Sequence, residues 1–479
     1  MVELARRLPR ARAVALVRRP PTRRPERSAA VALGSRRQGV IPRQTAERPV
    51  AATDRRATRN GTLTATTTIW FVRRILAALS ILMTVGVIGT ACAGRTSHST
   101  TESAPPENYG DVVTSDSATD LDPSLQSAVG WAQRFTYNSR SGVNDSTTHV
   151  TGILLVPKGS PPDGGWRIVA YGHPATGSLP GCGPSTSPTL MDSAAVVQQL
   201  LQAGYAVVMS DYQGLGSLDK IRDRPGRDAY HPYLDSTTVG YNMIDSVRAA
   251  GHLIDRAVGK ASTSWLALGI GEGGQAAWAA NELAANQGWN LTLIGAVAIS
   301  PVADINGLAD AAQAGTLNPA QQLGLQAFLN GLENSYADDF HVDDYRSGIV
   351  AQKWDALLAC DPAGLEERSS IAGQITPDDL KPHSAAALAA LRGYLKKASL
   401  PQGPTQAPML VIYGDHDPLM PTAWTEAALD RACKMGDVIT IRHLPDDAPD
   451  PLDMPAALDW MSQRVNSIPA PNDCGGRAS

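Results

Sequence analysis

Apolar positions along this chain fall into two alternating rhythms. Short apolar-rich runs at His149–Val156, Arg167–Tyr171, Tyr205–Ser210, Trp265–Leu268 and Leu291–Ser300 have the length and near-continuous apolarity of strands buried on both faces. Between them Ala194–Ala203, Thr238–Ile254 and Gln275–Glu282 repeat at helical spacing. Strand alternating with helix predicts a mostly parallel sheet with helices on both faces, an α/β fold. From 304 to 403 the strands stop. Helical stretches at Gln321–Leu332 and Ser384–Lys397 predict a helical cap inserted over the C-terminal edge of the sheet. The alternation resumes with strand Met409–Tyr413, helix Ala423–Lys434, strand Val438–Leu444 and helix Met454–Val465. The core is thus expected in two parts, 126–303 and 404–479. The Ser/Thr/Asp/Pro-rich stretch 93–125 reads as a flexible tether. No internal repeat is evident.

Charge changes the reading of the N-terminus. Residues 1–75 hold 18 Arg, no Lys and four acids, +14 formally; the whole chain is −4, so residues 76–479 carry −18. A body this acidic argues against nucleic-acid binding. Residues 1–68 lack apolar periodicity, and their Arg/Pro/Ala bias fits a disordered tail or a translation start placed too far upstream. Residues 69–92 carry a stronger signal. Arg73-Arg74 precede an apolar run, Ile75–Ile88, that is short for a membrane span, and Gly89-Thr90-Ala91-Cys92 follow. This is a secretory pattern, and the small residues before Cys92 resemble a bacterial lipoprotein box, apart from Gly89. Cys92 is therefore a candidate lipidation site that would hold the protein to a membrane, with ordinary cleavage or a retained anchor as the other outcomes. The protein is expected to be secreted or anchored in a bacterial cell envelope. Without Cys92, four of the five cysteines remain (Cys182, Cys360, Cys433, Cys474), an even number suited to disulfides in an oxidising compartment. They allow three connectivities. No Cys/His spacing indicates a metal, and no cofactor motif is present. No motif speaks to oligomeric state.

The six residues Gly269-Ile270-Gly271-Glu272-Gly273-Gly274 join a strand to a helix. A strand, a Gly-x-nucleophile-x-Gly turn and a helix make the nucleophile elbow of α/β-hydrolases. Position 271, where the nucleophile belongs, is glycine, which has no side chain to attack an ester.

Other stretches in the same order are Ala170-Tyr171-Gly172-His173-Pro174-Ala175-Thr176-Gly177, Cys182-Gly183-Pro184-Ser185 and Asp211-Tyr212-Gln213-Gly214-Leu215-Gly216. They are followed by His231-Pro232-Tyr233-Leu234, Asp245-Ser246-Val247-Arg248-Ala249-Ala250 and Tyr413-Gly414-Asp415-His416-Asp417 with Pro421. Together with the elbow they span most of 130–475, and the chain is similar to the secretory lipase family of α/β-hydrolases. The resemblance implies a Ser–His–acid triad. Asp417, just past a strand, takes the place of the acid, or alternatively caps the following helix. The His is expected between the strand ending near Leu444 and the helix holding Trp460. That window, Pro445–Asp453, has none, and Asp450 stands at about its position; the nearest, His443, lies in the preceding strand and reads as structural. Oxyanion donors are implied at the backbone N–H of Glu272 and within His173–Gly177, with His173, Pro174 and Ala175 at the pocket. Glu272 would bring a negative charge beside the oxyanion position, or cap its helix.

The Asp211-Tyr212 turn is expected to shape the pocket floor, and His173 and His231 read as hydrogen-bonded structural residues. An acidic pocket formed by Glu272, Asp417 and Asp447 or Asp450 is a further expectation. The resemblance pairs Cys182 with Cys360, tying cap to core, and Cys433 with Cys474. Two lost triad members point to an exported, non-catalytic protein that binds a lipid, an acyl ester or a protein partner. The alternative is an active carboxylic ester hydrolase with a relocated or carboxylate-based catalytic group at Glu272.

Overall fold

A computed structural model of the chain describes residues 108–217, 230–445 and 450–477. Nine strands form one sheet: β1 Val112–Ser117, β2 Val129–Arg140, β3 Thr147–Pro157, β4 Trp166–Gly172, β5 Ala206–Ser210, β6 Ala261–Ile270, β7 Thr292–Ile299, β8 Met409–Gly414 and β9 Ile439–Leu444. Their spatial order is β1-β2-β3-β5-β4-β6-β7-β8-β9. The first three pair antiparallel, β3 meets β5 antiparallel, and the six strands from β5 to β9 run parallel. The expected strands and helices of the core fall within a few residues of those observed.

The parallel strands read as continuous apolar runs because both faces are covered. Alternate residues sort onto the two sides. Ala170, Val208, Trp265, Ala267 and Ala298 face helices α3 (Ser236–Ala257), α4 (Glu272–Gln287) and α10 (Thr422–Lys434). Val169, Val207, Leu266, Leu268, Ile299 and Ile412 face α1 (Pro123–Ala128), α2 (Ala194–Gln202) and α11 (Met454–Val465). Helix α4 is alanine-rich, and α3 approaches it closely: a Cβ on Gly240 would lie 2.8 Å from Leu283.

Between β7 and β8 lie α5 (Gly307–Ala314), α6 (Pro319–Ser335), α7 (Gly348–Gln352), α8 (Pro362–Ala372) and α9 (Ala385–Ala398). They pack around their own apolar cluster, including Leu308, Phe328, Leu357 and Leu391. Helix α6 opens on a capping box of Asn318 and Gln321, and α9 on Ser384. These helices form an insertion between β7 and β8, and are called the cap below. Cys182 is bonded to Cys360 and Cys433 to Cys474. The first bond crosslinks the loop after β4 to the cap.

One boundary is corrected. The tether expected over 93–125 is not all tether, because β1 and the start of α1 lie inside it. Strand β1 is the sheet's edge. Five of its six residues are exposed, so it carries no apolar alternation, and its ladder to β2 alone makes it a strand. The Arg-rich segment 1–68, the signal-like segment 69–92 and Cys92 lie outside the described residues. Among the described residues no helix is long and apolar enough to cross a membrane.

Candidate active site

Strand β6 delivers the chain to Gly271, which sits at φ 60°, ψ −117° immediately before α4. That left-handed backbone is the sharp turn an elbow requires. Gly271 N–H donates to Ile299 O at 2.9 Å, and its carbonyl accepts from Gln275 N at 3.0 Å and Val302 N at 3.1 Å, so the turn is held from both sides. The flanking glycines are sterically enforced. A Cβ on Gly269 would lie 1.8 Å from Gly273 O, and one on Gly273 would lie 1.9 Å from Gly172 O. Gly271 differs. A Cβ there would meet nothing nearer than Pro174 Cβ at 3.9 Å. The position that would hold a nucleophile is open, correctly turned and empty of a side chain.

The Glu272 N–H is the first of α4 and has no intrahelical acceptor. Opposite, Pro174 carries no N–H, so Ala175 is the first residue after His173 with one to offer. The side chain of Glu272 overturns the expectation of a charge at the oxyanion position. It is buried, with Oε1 2.8 Å from His231 Nε2, and both side chains are shut off from solvent. His231 Nδ1 lies 3.0 Å from Gln213 O, a carbonyl that can only accept. His231 thus bridges the Glu272 carboxyl and the Gln213 carbonyl. Burial of Glu272 is favoured because His231 lies below the elbow, a tertiary neighbour 41 residues away. Its carboxylate also lies in the first turn of α4, where a negative charge is favourable.

His173 and Tyr212 continue this network. Tyr212 stacks on His173 with centroids 4.3 Å apart and lies 6.2 Å from the His231 ring. His173 Nδ1 donates to Pro174 O at 2.7 Å, which orders the loop carrying Ala175. Burial lowers the His173 pKa and keeps the ring neutral, while nearby Glu272 acts in the opposite direction. Burial, with the Glu272 charge second, raises the Tyr212 and Tyr233 hydroxyls. Asp211 is fully buried. It accepts from Thr151 Oγ1 at 2.6 Å, Ser185 N at 2.7 Å and Ser185 Oγ, and so anchors the Pro184–Thr186 turn.

The carboxyl ends of β7, β8 and β9 frame a cleft of about 260 Å³ lined by Ser300, Asp415, His416, Asp417, Leu444, Pro445 and Pro451. Asp417 Oδ1 accepts from Leu419 N at 2.8 Å and Met420 N at 2.9 Å, so it braces its own loop; the cap position of α10 belongs to Pro421. Asp450 likewise accepts from Leu452 N and Met454 N at the start of α11. The acidic pocket expected from Glu272, Asp417 and Asp447 or Asp450 is not formed as a unit. Glu272 is committed to His231, and Asp447 lies outside the described residues. His443 stacks on Tyr413 and bonds Asp415 at 2.9 Å at the half-exposed rim. Asp415's pKa is lowered first by the Thr422 hydroxyl and then by His443. His416 was missed as a cleft residue: the sequence places it beside Asp417, but only the fold turns it into this cleft. Among the described residues no group of three or more His, Cys, Asp or Glu forms a metal site.

No curated protein matches the chain. A family model described as secretory lipase matches residues 182–349. Among solved structures, a Legionella pneumophila protein described as a hydrolase candidate has a TM-score of 0.60 at 19% identity, covering 75% of this chain and 99% of that one. Candida antarctica lipase A in its closed state gives 0.60 at 15% identity, covering 77% and 84%. The rice cell wall degrading esterase LipA from Xanthomonas oryzae, in a ligand-bound form, gives 0.57 at 20% identity, covering 75% and 97%. At these identities the structural likeness speaks for the fold alone. The family match thus covers less than half of the chain, and the solved structures show an α/β-hydrolase fold, here with glycine at its elbow.

Proposed function

We propose that this protein is an exported, non-hydrolytic relative of the secretory lipases that holds a lipid or acyl-ester ligand rather than cleaving it. The observation that carries this reading is Gly271. Its backbone keeps the elbow turn and its surroundings keep the room for a side chain, yet no nucleophile is there. Losing a triad nucleophile costs several orders of magnitude in rate even where oxyanion donors remain. The stretch from Pro445 to Asp453 also contains no His to act as base. The two disulfides favour an oxidising compartment, and an acyl anchor at Cys92 would add membrane attachment. Burial of Glu272 against His231 counts against a carboxylate nucleophile, since a group without solvent access does not meet a substrate carbonyl.

The test is ester hydrolysis by the purified chain, across short and long acyl esters, beside a Gly271→Ser, Asp450→His double variant. The parent is expected to be silent and to resist a serine-directed phosphonate, while the double variant gains turnover above the parent. Parent turnover with covalent labelling would overturn the reading, and peptide mapping would then locate the nucleophile.

A further inference from the structure

Arg368, on α8 of the cap, is a partly buried cation that no carboxylate balances among the described residues. Its hydrogen bond is a long one, from Nη1 to Ala359 O at 3.4 Å, and its Nε is buried with no partner. The neighbouring Glu367 reaches Lys353 instead, at 3.8 Å. By contrast Arg134, Arg140, Arg248 and Arg477 each pair with a carboxylate. Burial lowers the pKa of the Arg368 guanidinium, and the group that opposes burial is the Tyr233 hydroxyl. Tyr233 is itself held un-ionised, first by burial and then by the Glu272 charge. It therefore offers a hydroxyl and no counter-charge, while the guanidinium stays charged at neutral pH.

Both loops beside the elbow lead to this side chain. Its acceptor Ala359 precedes Cys360, which is bonded to Cys182. The two cysteines press on Gly177, where a Cβ would lie 2.6 Å from Cys182 Sγ and 2.8 Å from Cys360 Cβ. Gly177 follows Pro174, the nearest neighbour of a Cβ at position 271. On the other loop, the Tyr233 ring lies 5.9 Å from that of His231, the partner of Glu272. The flanking residues are apolar. Leu357 and Leu358 precede Ala359, Ile371 stands one turn beyond Arg368, and all three belong to the apolar cluster of the cap.

An unpaired guanidinium among apolar neighbours is costly to bury, and its fork of N–H donors matches a planar oxyanion. The carboxylates that act on Tyr233 are already held, Glu272 by His231 and Asp417 by the N–H groups of Leu419 and Met420. A neutral ester would leave the guanidinium unbalanced. An acyl chain that ends in an anion meets both the charge and the apolar surroundings, and a singly charged carboxylate neutralises one guanidinium. We infer that the ligand of this protein is a free fatty acid rather than its ester, with its carboxylate on Arg368. This rests on the ligand-holding reading above and narrows it.

Titration calorimetry on the full chain at neutral pH tests it, with decanoate, methyl decanoate and decyl phosphate as ligands. Decanoate is expected to bind at least about tenfold more tightly than methyl decanoate. Arg368→Gln should weaken decanoate about tenfold or more and leave methyl decanoate unchanged, and Arg368→Lys, which keeps the charge without the fork, should fall between. Melting temperatures establish that each variant is folded. The preference of the parent decides the matter even if Arg368→Gln does not fold, because the two ligands differ at the head group alone. Equal affinity for decanoate and its methyl ester, decanoate binding untouched by Arg368→Gln, or tighter binding of decyl phosphate would each overturn the carboxylate assignment while leaving a ligand-holding protein. Binding of none of the three would overturn the ligand-holding reading itself and this inference with it.

Discussion

At position 271 the main chain holds a conformation that costs an L-residue on the order of 1–3 kcal/mol, and glycine occupies it without that cost. Its neighbours 269 and 273 are glycine for a different reason, because any Cβ would collide with backbone oxygen. The three glycines therefore respond differently to substitution. Gly271→Ala is expected to fold with a loss of about 1–2 kcal/mol. Gly269→Ala or Gly273→Ala should cost more than about 4 kcal/mol or give no soluble protein, since the obstacle is main chain that cannot turn aside. Urea midpoints compare them, and an equal cost at all three would contradict the geometry. At the same scale, Glu272 illustrates how a residue's neighbours decide its chemistry: beside an open pocket it would be an anion at the oxyanion position, and against His231 it is half of a buried pair.

Among the elements, the cap stands out as a unit with its own apolar cluster, joined to the core by the return chain into β8, by packing and by Cys182–Cys360. That bond closes 178 residues of chain. A loop so long loses much configurational freedom when crosslinked, and removal of such a bond typically costs about 2–5 kcal/mol. Cys182→Ser with Cys360→Ser is expected to lower stability by that amount and to increase amide exchange first in α8, which buries little beyond Ile371. Uniform exchange across α6, α8 and α9 would mean that the cap is held by packing alone.

Over the whole molecule, pH behaviour depends on buried carboxyls. Glu282 on α4 accepts from Gln402 N at 3.0 Å and Gly403 N at 3.1 Å, latching the chain that returns from the cap. Burial pushes its pKa up to about 7. Asp437, which holds Thr405 N at 2.8 Å, is raised for the same reason. A folded-state pKa above the unfolded one means the native chain binds the extra proton. The contribution of Glu282 is thus full below about pH 4.5 and is lost as pH rises to about 7, on the order of 3 kcal/mol. Glu282→Gln should flatten that fall. Stability of the variant relative to the parent that does not change with pH between 4.5 and 7.5 would refute it.

Sequence alone determined the alternation of strand and helix, the elbow glycines and the glycine at position 271. Each of these is a local matter: periodicity, a turn that only glycine tolerates, or the identity of one residue. The disulfide pairing came through family resemblance, because four cysteines leave three pairings open. Tertiary structure decided what depends on partners distant in the chain. Strand β1 is a strand only because β2 offers it a ladder, since an exposed edge carries no apolar rhythm. Glu272 is buried because His231 lies beneath it, and His416 reaches a cleft because β8 ends there. Local pattern records which face of an element is apolar, whereas the fate of a polar side chain is settled by what the fold sets against it.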